Sequence, residues 1–231
     1  MMDNRQPVFF FDLETVPTID KSVHDSIAAS IKPPATMSKA ETIAKWEIEK
    51  KPEAINDAIL KTALDGSFGS IAVIGVALND NDPIVFYEPN TRTPHDYESK
   101  VLSEFFYFLK DSYTPSTMQS PIFAGHNIIN FDLRFLFQRS IVLGIKPPSF
   151  IPFNAKPWDE HVHDNMVNWS GRDYISQDKL SKALGNRGKE GMDGSQVWPN
   201  ICAGNIDAVA NYCIDDVLDA RANYKRMNFI D

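Results

Sequence analysis

Residues 8–13 (V-F-F-F-D-L) are apolar and aromatic except at Asp12, the composition of a strand buried on both faces. Residues 18–34 suggest loop and a short helix. Residues 37–64, rich in Ala, Glu, Lys and Ile and without glycine, predict two helices broken near Pro52. After a turn at 66–69, the apolar runs 70–78 and 83–87 flank N-D-N-D, the pattern of a hairpin. Residues 93–111 carry Val101, Leu102, Phe105, Phe106 and Leu109 at helical spacing. A polar loop at 112–120 gives way to a short buried strand at 121–125, then a helix at 131–143 closed by Gly144. The proline-rich stretch 145–175 predicts irregular structure, with a short edge strand at 162–166. A helix at 177–184 ends at Gly185, a glycine-rich connection occupies 185–200, and a last helix spans 205–226. This order predicts an α/β fold: a mixed sheet whose first three strands pair antiparallel and whose next is reached by a helical crossover. Residues 20–69 form a helical insertion after the first strand, within one domain spanning 1–231.

In the first strand, Asp12 and Glu14 point the same way, about 7 Å apart along the chain. Two carboxylates on a buried edge repel and lose hydration, so they call for protons, a basic partner or a cation. A hard divalent ion with oxygen ligands answers that need. A strand end running into solvent is the plainer alternative, and Asp96-Tyr97-Glu98 repeats the D-x-E spacing. The run G-H-N-I-I-N-F-D at 125–132 lies at a strand's carboxyl end, where open α/β sheets bind ligands. Asp132 falls in the first helical turn, a place the helix dipole favours for an acid with or without a ligand. On the last helix Tyr212 and Asp216 stand at i and i+4, beside the packing stripe of Ala210, Cys213, Val217 and Tyr224. Asp215 and Asp219 point to water. The Y-x-x-x-D spacing also recurs at Tyr107/Asp111 and Tyr174/Asp178.

The 231 residues suffice for a sizeable core, with 43% hydrophobic and 23% charged positions. No apolar run approaches ~18 residues, so no membrane span is expected, and the short polar N-terminus predicts no secretory leader. Cys202 and Cys213 have no zinc-ligand spacing and build no disulfide framework, which fits a reducing cytoplasm. The net charge of −8 argues against broad adhesion to nucleic acid. Acids gathered around cations would reverse that sign locally, so a nucleic-acid enzyme stays open. Lys182, Arg187 and Lys189 could track phosphates near the 185–200 segment; without a defined basic patch, solvated side chains are the expected reading.

The series D-x-E on a strand, N-x-x-x-F-D after a later strand and Y-x-x-x-D on a terminal helix resembles the DEDD 3′–5′ exonuclease superfamily, of the ribonuclease H-like fold. Its tyrosine branch is the match, since Asn211 stands where the histidine branch has its histidine. More closely, the chain is similar to predicted 3′–5′ exonucleases related to the proofreading domain of family B DNA polymerases. The likeness runs through F-D-L-E-T at 11–15, residues 63–78, residues 125–132, M-D-G-S-Q-V at 192–197 and residues 212–217. It departs at D-N-M-V, 164–167, where relatives carry a second acid at the last position and Val167 cannot serve.

The resemblance implies a five-stranded mixed sheet flanked by helices and two magnesium or manganese ions holding the scissile phosphate. Asp12 would bridge both ions, Glu14 and Asp216 would complete the tighter one, and Asp132 would act through water at the second. Tyr212 would orient the attacking water. Leu13 and Phe131 would contact the terminal nucleotide and Asn127 its sugar or backbone. Ions ~3.5–4 Å apart stabilise both attacking and leaving oxygens of an in-line displacement, so no nucleophilic Ser or Cys is needed. The expected activity is 3′–5′ hydrolysis of single-stranded nucleic acid, DNA favoured over RNA, with 3′ ends as the partner and neither a membrane nor a protein partner implied. The alternatives are an RNA or small-oligonucleotide 3′–5′ nuclease, a non-catalytic nucleic-acid-binding module of the same fold, and a phosphatase-like hydrolase of other phosphoesters.

Overall fold

Five strands pair into one mixed sheet: β1 (Val8–Val16), β2 (Ser70–Leu78), β3 (Ile84–Phe86), β4 (Ile122–Gly125) and β5 (Val162–Asp164), in the order β3-β2-β1-β4-β5. The computed structural model describes residues 6–171, 173–188 and 191–230. β1 pairs antiparallel with β2 and parallel with β4; β2 pairs antiparallel with β3, and β4 parallel with β5. The expected hairpin and crossover are both present. The β1/β2 register shifts between Glu14 and Thr15, where the pairing skips Ala72. A bulge of this kind sharpens twist and re-aims neighbouring side chains, and it falls directly after the D-x-E pair.

Three helices, α1 (Lys21–Ser30), α2 (Ala40–Glu49) and α3 (Lys51–Leu60), and a 3₁₀ turn at Lys61–Leu64 lie between β1 and β2. α2 and α3 break at Lys50, with Pro52 in the first turn of α3, where its missing N–H costs nothing. The insertion is tied to the sheet by Thr15 Oγ1 donating to the Ala63 carbonyl at 2.6 Å. The helix expected from residue 93 opens as a 3₁₀ turn at Pro94–Tyr97 and becomes α4 only at Glu98–Asp111. α5 (Asp132–Leu143) ends at Gly144, whose φ of 66° is the left-handed cap that glycine adopts without strain.

Two stretches differ from expectation. The strand expected through residue 166 stops at Asp164, because the Asp164 carboxylate accepts from the Met166 and Val167 N–H groups and starts α6 (Asn165–Ser170). The glycine-rich stretch after α7 (Gln177–Ala183) holds a 3₁₀ turn at Gly194–Gln196 leading into α8 (Val197–Cys202). Here the M-D-G-S-Q-V run gains a physical account. Asp193 accepts from the Ser195 N–H at 2.8 Å, Gln196 Oε1 accepts from the Asp193 N–H at 3.0 Å, and Val197 is buried. The motif is a capping box followed by a core residue.

The alternation of β1 splits the core. Phe9, Phe11 and Leu13 pack with Leu102 and Phe105 of α4 and Leu133 and Leu136 of α5. Val8 and Phe10 pack on the other face with Val217 and Tyr224 of α9 (Ile206–Met227). Burying each such phenylalanine contributes about 1.5–3 kcal/mol. α9 crosses close to β2: a Cβ on Gly75 would lie 2.9 Å from Cys213 Sγ and 3.0 Å from Val217 Cγ2. A buried ion pair joins Arg139 of α5 to Glu98 of α4 at 2.6 Å, and Glu98 also accepts from the Ile71 N–H at 2.7 Å. This pair fixes both helices to the start of β2. Among the described residues, no helix is long and apolar enough to cross a membrane.

Candidate active site

Asp12 and Glu14 are in step with Phe10 along β1, so both carboxylates face α9. They meet Cys213 there. One ligand atom from each of Asp12, Glu14 and Cys213 lies within 4.8 Å of the other two. At about 5 Å and an effective dielectric near 20, two carboxylates repel by about 3 kcal/mol. The Cys213 sulfur lies 3.4 Å from the Asp12 carbonyl oxygen and 3.7 Å from Oδ2. Burial pushes its thiol well above the ordinary range, and the charges of Asp12, Glu14 and Asp216 push further. It therefore stays a neutral S–H donor. The oxygen donors are the part of this cluster that suits a hard divalent ion.

On α9, Tyr212 and Asp216 are one turn apart, and the Tyr212 hydroxyl donates to the Asp216 carboxylate. The phenol is held far above its usual range, first by burial and then by the charges of Asp216, Glu14 and Asp12. Tyr212 thus shares its surroundings with all three acids. Asp216 is buried, and Gln177 of α7 donates to its carbonyl oxygen at 2.8 Å and to Oδ1 at 3.3 Å.

Asp132 opens α5 with only 2% exposure, and its Oδ1 accepts from the Leu13 N–H at 3.0 Å. That bond places it beside the backbone between Asp12 and Glu14. Burial is the main influence lifting its carboxyl to about 8; Asp164 and Asp216 add to this, while hydrogen bonds from its own N–H and that of Leu13 oppose it. A carboxyl so placed gains its charge readily only beside a cation. The donor set therefore fits divalent metal on two counts: closely spaced carboxylate oxygens around Asp12, and a desolvated acid at Asp132.

The residues expected to touch substrate are placed less uniformly. Asn127 has a left-handed φ of 63°, a conformation asparagine tolerates better than most residues. Its N–H donates to Asp164 Oδ1 at 2.8 Å. Phe131 is half-buried, its ring tilted on Phe135 at 5.6 Å. Leu13 is 5% exposed and packed in the core, so it presents only an edge. Asp215 is exposed, as expected, whereas Asp219 is half-buried and lines a cavity of about 280 Å³ with Arg187, Tyr212 and Asp216. Lys182 pairs with Asp178 at 2.8 Å, and Lys189 lies outside the described residues.

Three contacts at the candidate site had no counterpart in the sequence reading: Gln177 on Asp216, Cys213 on Asp12, and Asp164 on the 126–131 loop. Only Asp164 left a local signal, an acid directly before a short helix.

Residues 66–231 match a family of predicted 3′–5′ exonucleases related to the exonuclease domain of PolB. The chain belongs to this family. β1, with Asp12 and Glu14, precedes the matched residues, and its pairing with β2 and β4 brings it into their sheet. No curated protein matches the chain significantly. Among solved structures, it is similar to the family B DNA polymerase from the hyperthermophilic archaeon Pyrobaculum calidifontis, at 15% identity and a TM-score of 0.55. That likeness covers 97% of this chain and 24% of the polymerase, so the chain spans about a quarter of its neighbour. At this identity it speaks for fold: a ribonuclease H-like mixed sheet flanked by helices.

Proposed function

We propose that the protein is a metal-dependent exonuclease that shortens single-stranded nucleic acid from its 3′ end, DNA favoured, using two magnesium or manganese ions. The observation that carries this reading is the meeting of Asp12 and Glu14 of β1 with Tyr212 and Asp216 of α9, closed by the Asp132 bond to the Leu13 N–H. When bound, such ions neutralise phosphodiester charge and lower the pKa of the attacking water. Asp12, Glu14 and Asp216 would hold them, and Asp132 would act at the second through water. Tyr212, kept neutral by its surroundings, aims the attacking water through its hydroxyl. Asn127 and Phe131 hold the terminal nucleotide, with the edge of Leu13 behind it. Residues 1–231 serve as one exonuclease domain in which 20–69 is inserted. The free cysteines Cys202 and Cys213 suit a reducing cytoplasm.

The test uses purified protein with 5′-labelled and 3′-labelled single-stranded DNA and RNA, in manganese and in EDTA. The 5′-labelled strand should give a descending ladder, the 3′-labelled strand released mononucleotide, and EDTA neither. Laddering that starts from the 5′ end, or cleavage that persists in a pure Asp12→Ala, Asp216→Ala variant, would remove the proposed chemistry.

A further inference from the structure

The outward face of α5 and the proline-rich stretch that follows it enclose a groove of about 560 Å³, whose walls include Asn130, Arg134, Phe137, Phe153 and Lys156. Among the described residues, no carboxylate lines it, on a chain whose net charge is −8. Arg134 and Lys156 are exposed, and neither side chain makes an ion pair among the described residues. The acid nearest Lys156 in sequence, Asp159, is engaged with the Lys156 backbone N–H at 2.7 Å, an anchor for that wall. Phe137 is 43% exposed and meets Phe153 at 5.4 Å between ring centroids. Trp158, directly after Pro157 of the groove wall, is 79% exposed. At its other end the groove reaches Ile129 and Asn130, on the loop that carries Asn127 and leads into Asp132.

We infer that this groove holds the unpaired nucleotides that precede the scissile 3′ end. The inference rests on the exonuclease reading for what lies at the end of the strand. Its own support is the chemistry of the groove. Two cations without counter-ions take backbone phosphates, and exposed aromatic faces take bases by stacking, a combination that tolerates any sequence and suits single strands. Duplex would need a broader basic surface than this acidic chain offers. An acidic peptide would satisfy the cations and leave Phe137 and Trp158 without a stacking partner.

The experiment compares wild type with an Arg134→Gln, Lys156→Gln variant on two substrates in manganese, a 12-nucleotide single strand and a dinucleotide too short to enter the groove. DNA and RNA versions of the longer strand, run side by side, show which backbone the groove accepts. The variant should lose about tenfold or more in kcat/KM on the 12-mer and stay within about twofold on the dinucleotide, with an unchanged melting temperature. Binding of the 12-mer in EDTA, where nothing is cleaved, should become less salt-dependent. The log–log slope should fall by about 1.4, since each phosphate contact on a single strand contributes about 0.7. Phe137→Ala should weaken that binding and leave the slope alone. Equal losses on both substrates, or an unchanged slope, would overturn the groove. A wild type that hydrolyses neither substrate fails the exonuclease reading instead, and the slope comparison then decides the groove alone.

Discussion

Gln177 and Asp216 are joined twice: the Gln177 Nε2 donates at 2.8 Å to the main-chain oxygen of Asp216 and at 3.3 Å to its Oδ1. Both residues are buried, and this double contact restrains the carboxylate that Tyr212 also engages. Partners of this kind, once removed, typically cost about 10–100-fold in metal affinity or activity. Gln177→Leu should therefore raise the manganese concentration needed for half-maximal activity by about tenfold. A merely structural role would lower the melting temperature and leave the metal titration where it was. Metal-dependent activity assays alongside thermal melts separate the two.

Asp12, Glu14 and Asp216 all bear on Tyr212 and Cys213, and their mutual repulsion, together with the desolvated Asp132, is a cost that a bound cation would relieve. Manganese should raise the wild-type melting temperature, since a ligand at about 100 times its Kd adds about 2.7 kcal/mol. The Asp12→Ala, Asp216→Ala variant should lose roughly 100- to 1,000-fold or more in activity, the scale of removing one preorganised charge-stabilising group. In EDTA it should melt no lower than wild type, and manganese should no longer shift it. Calorimetry with and without manganese measures all four melting values. A variant that is still stabilised by metal would place the ions elsewhere.

Much of the placement of the candidate site was legible because its parts are periodic. The alternation of β1 sets Asp12 and Glu14 on one side, and the helical repeat of α9 sets Tyr212 beside Asp216; neither needs knowledge of the rest of the chain. The contacts that were missed join residues far apart. Gln177 reaches Asp216 across 39 positions, Asp164 reaches Asn127 across 37, and Cys213 reaches Asp12 across 201. No local pattern encodes such pairs. The segments read as irregular that prove helical, Asn165–Ser170 and Val197–Cys202, have six residues each. That is under two turns, too short for a hydrophobic period to show. They are fixed by their caps, Asp164 and the Asp193/Gln196 pair, which in sequence look like ordinary polar loop residues.

His163, on β5, gives the fold an acid limit. Burial pushes its pKa down to about 4. Its ring packs edge-on against Tyr224 at 4.6 Å between centroids, and Asn168 Nδ2 lies 3.1 Å from Nδ1. The unfolded chain takes up a proton at this residue near pH 6.5, whereas the folded chain does so only near 4. Between those values the unfolded state binds more protons, so stability falls as pH falls. The full effect, reached below pH 4, is on the order of 3 kcal/mol at about 1.4 kcal/mol per pH unit. His163→Phe should flatten the dependence of the urea midpoint on pH between 6.5 and 4. An identical slope in wild type and variant would assign the acid sensitivity to other groups.

Asp164 holds the loop between β4 and α5 without touching the proposed metal ligands. Its Oδ1 accepts from the N–H groups of Asn127 at 2.8 Å, Met166 at 3.0 Å and Val167 at 3.3 Å, and its Oδ2 from that of Ile129 at 3.0 Å. Four N–H donors on one buried carboxylate, at 1% exposure, stand in for the water it has lost. Asparagine keeps one acceptor oxygen and turns its NH₂ toward N–H donors, so Asp164→Asn should lose much of what Asp164→Ala loses. Removing the helix cap alone costs about 1 kcal/mol, and each buried N–H left without an acceptor costs about 1–3 kcal/mol. The loop also carries Asn127 and Phe131, so activity should fall further than stability. At a temperature where Asp164→Asn remains folded, KM for an oligonucleotide should rise about tenfold or more. Stability losses with an unchanged KM would limit Asp164 to capping α6 and take from it the positioning of the substrate loop.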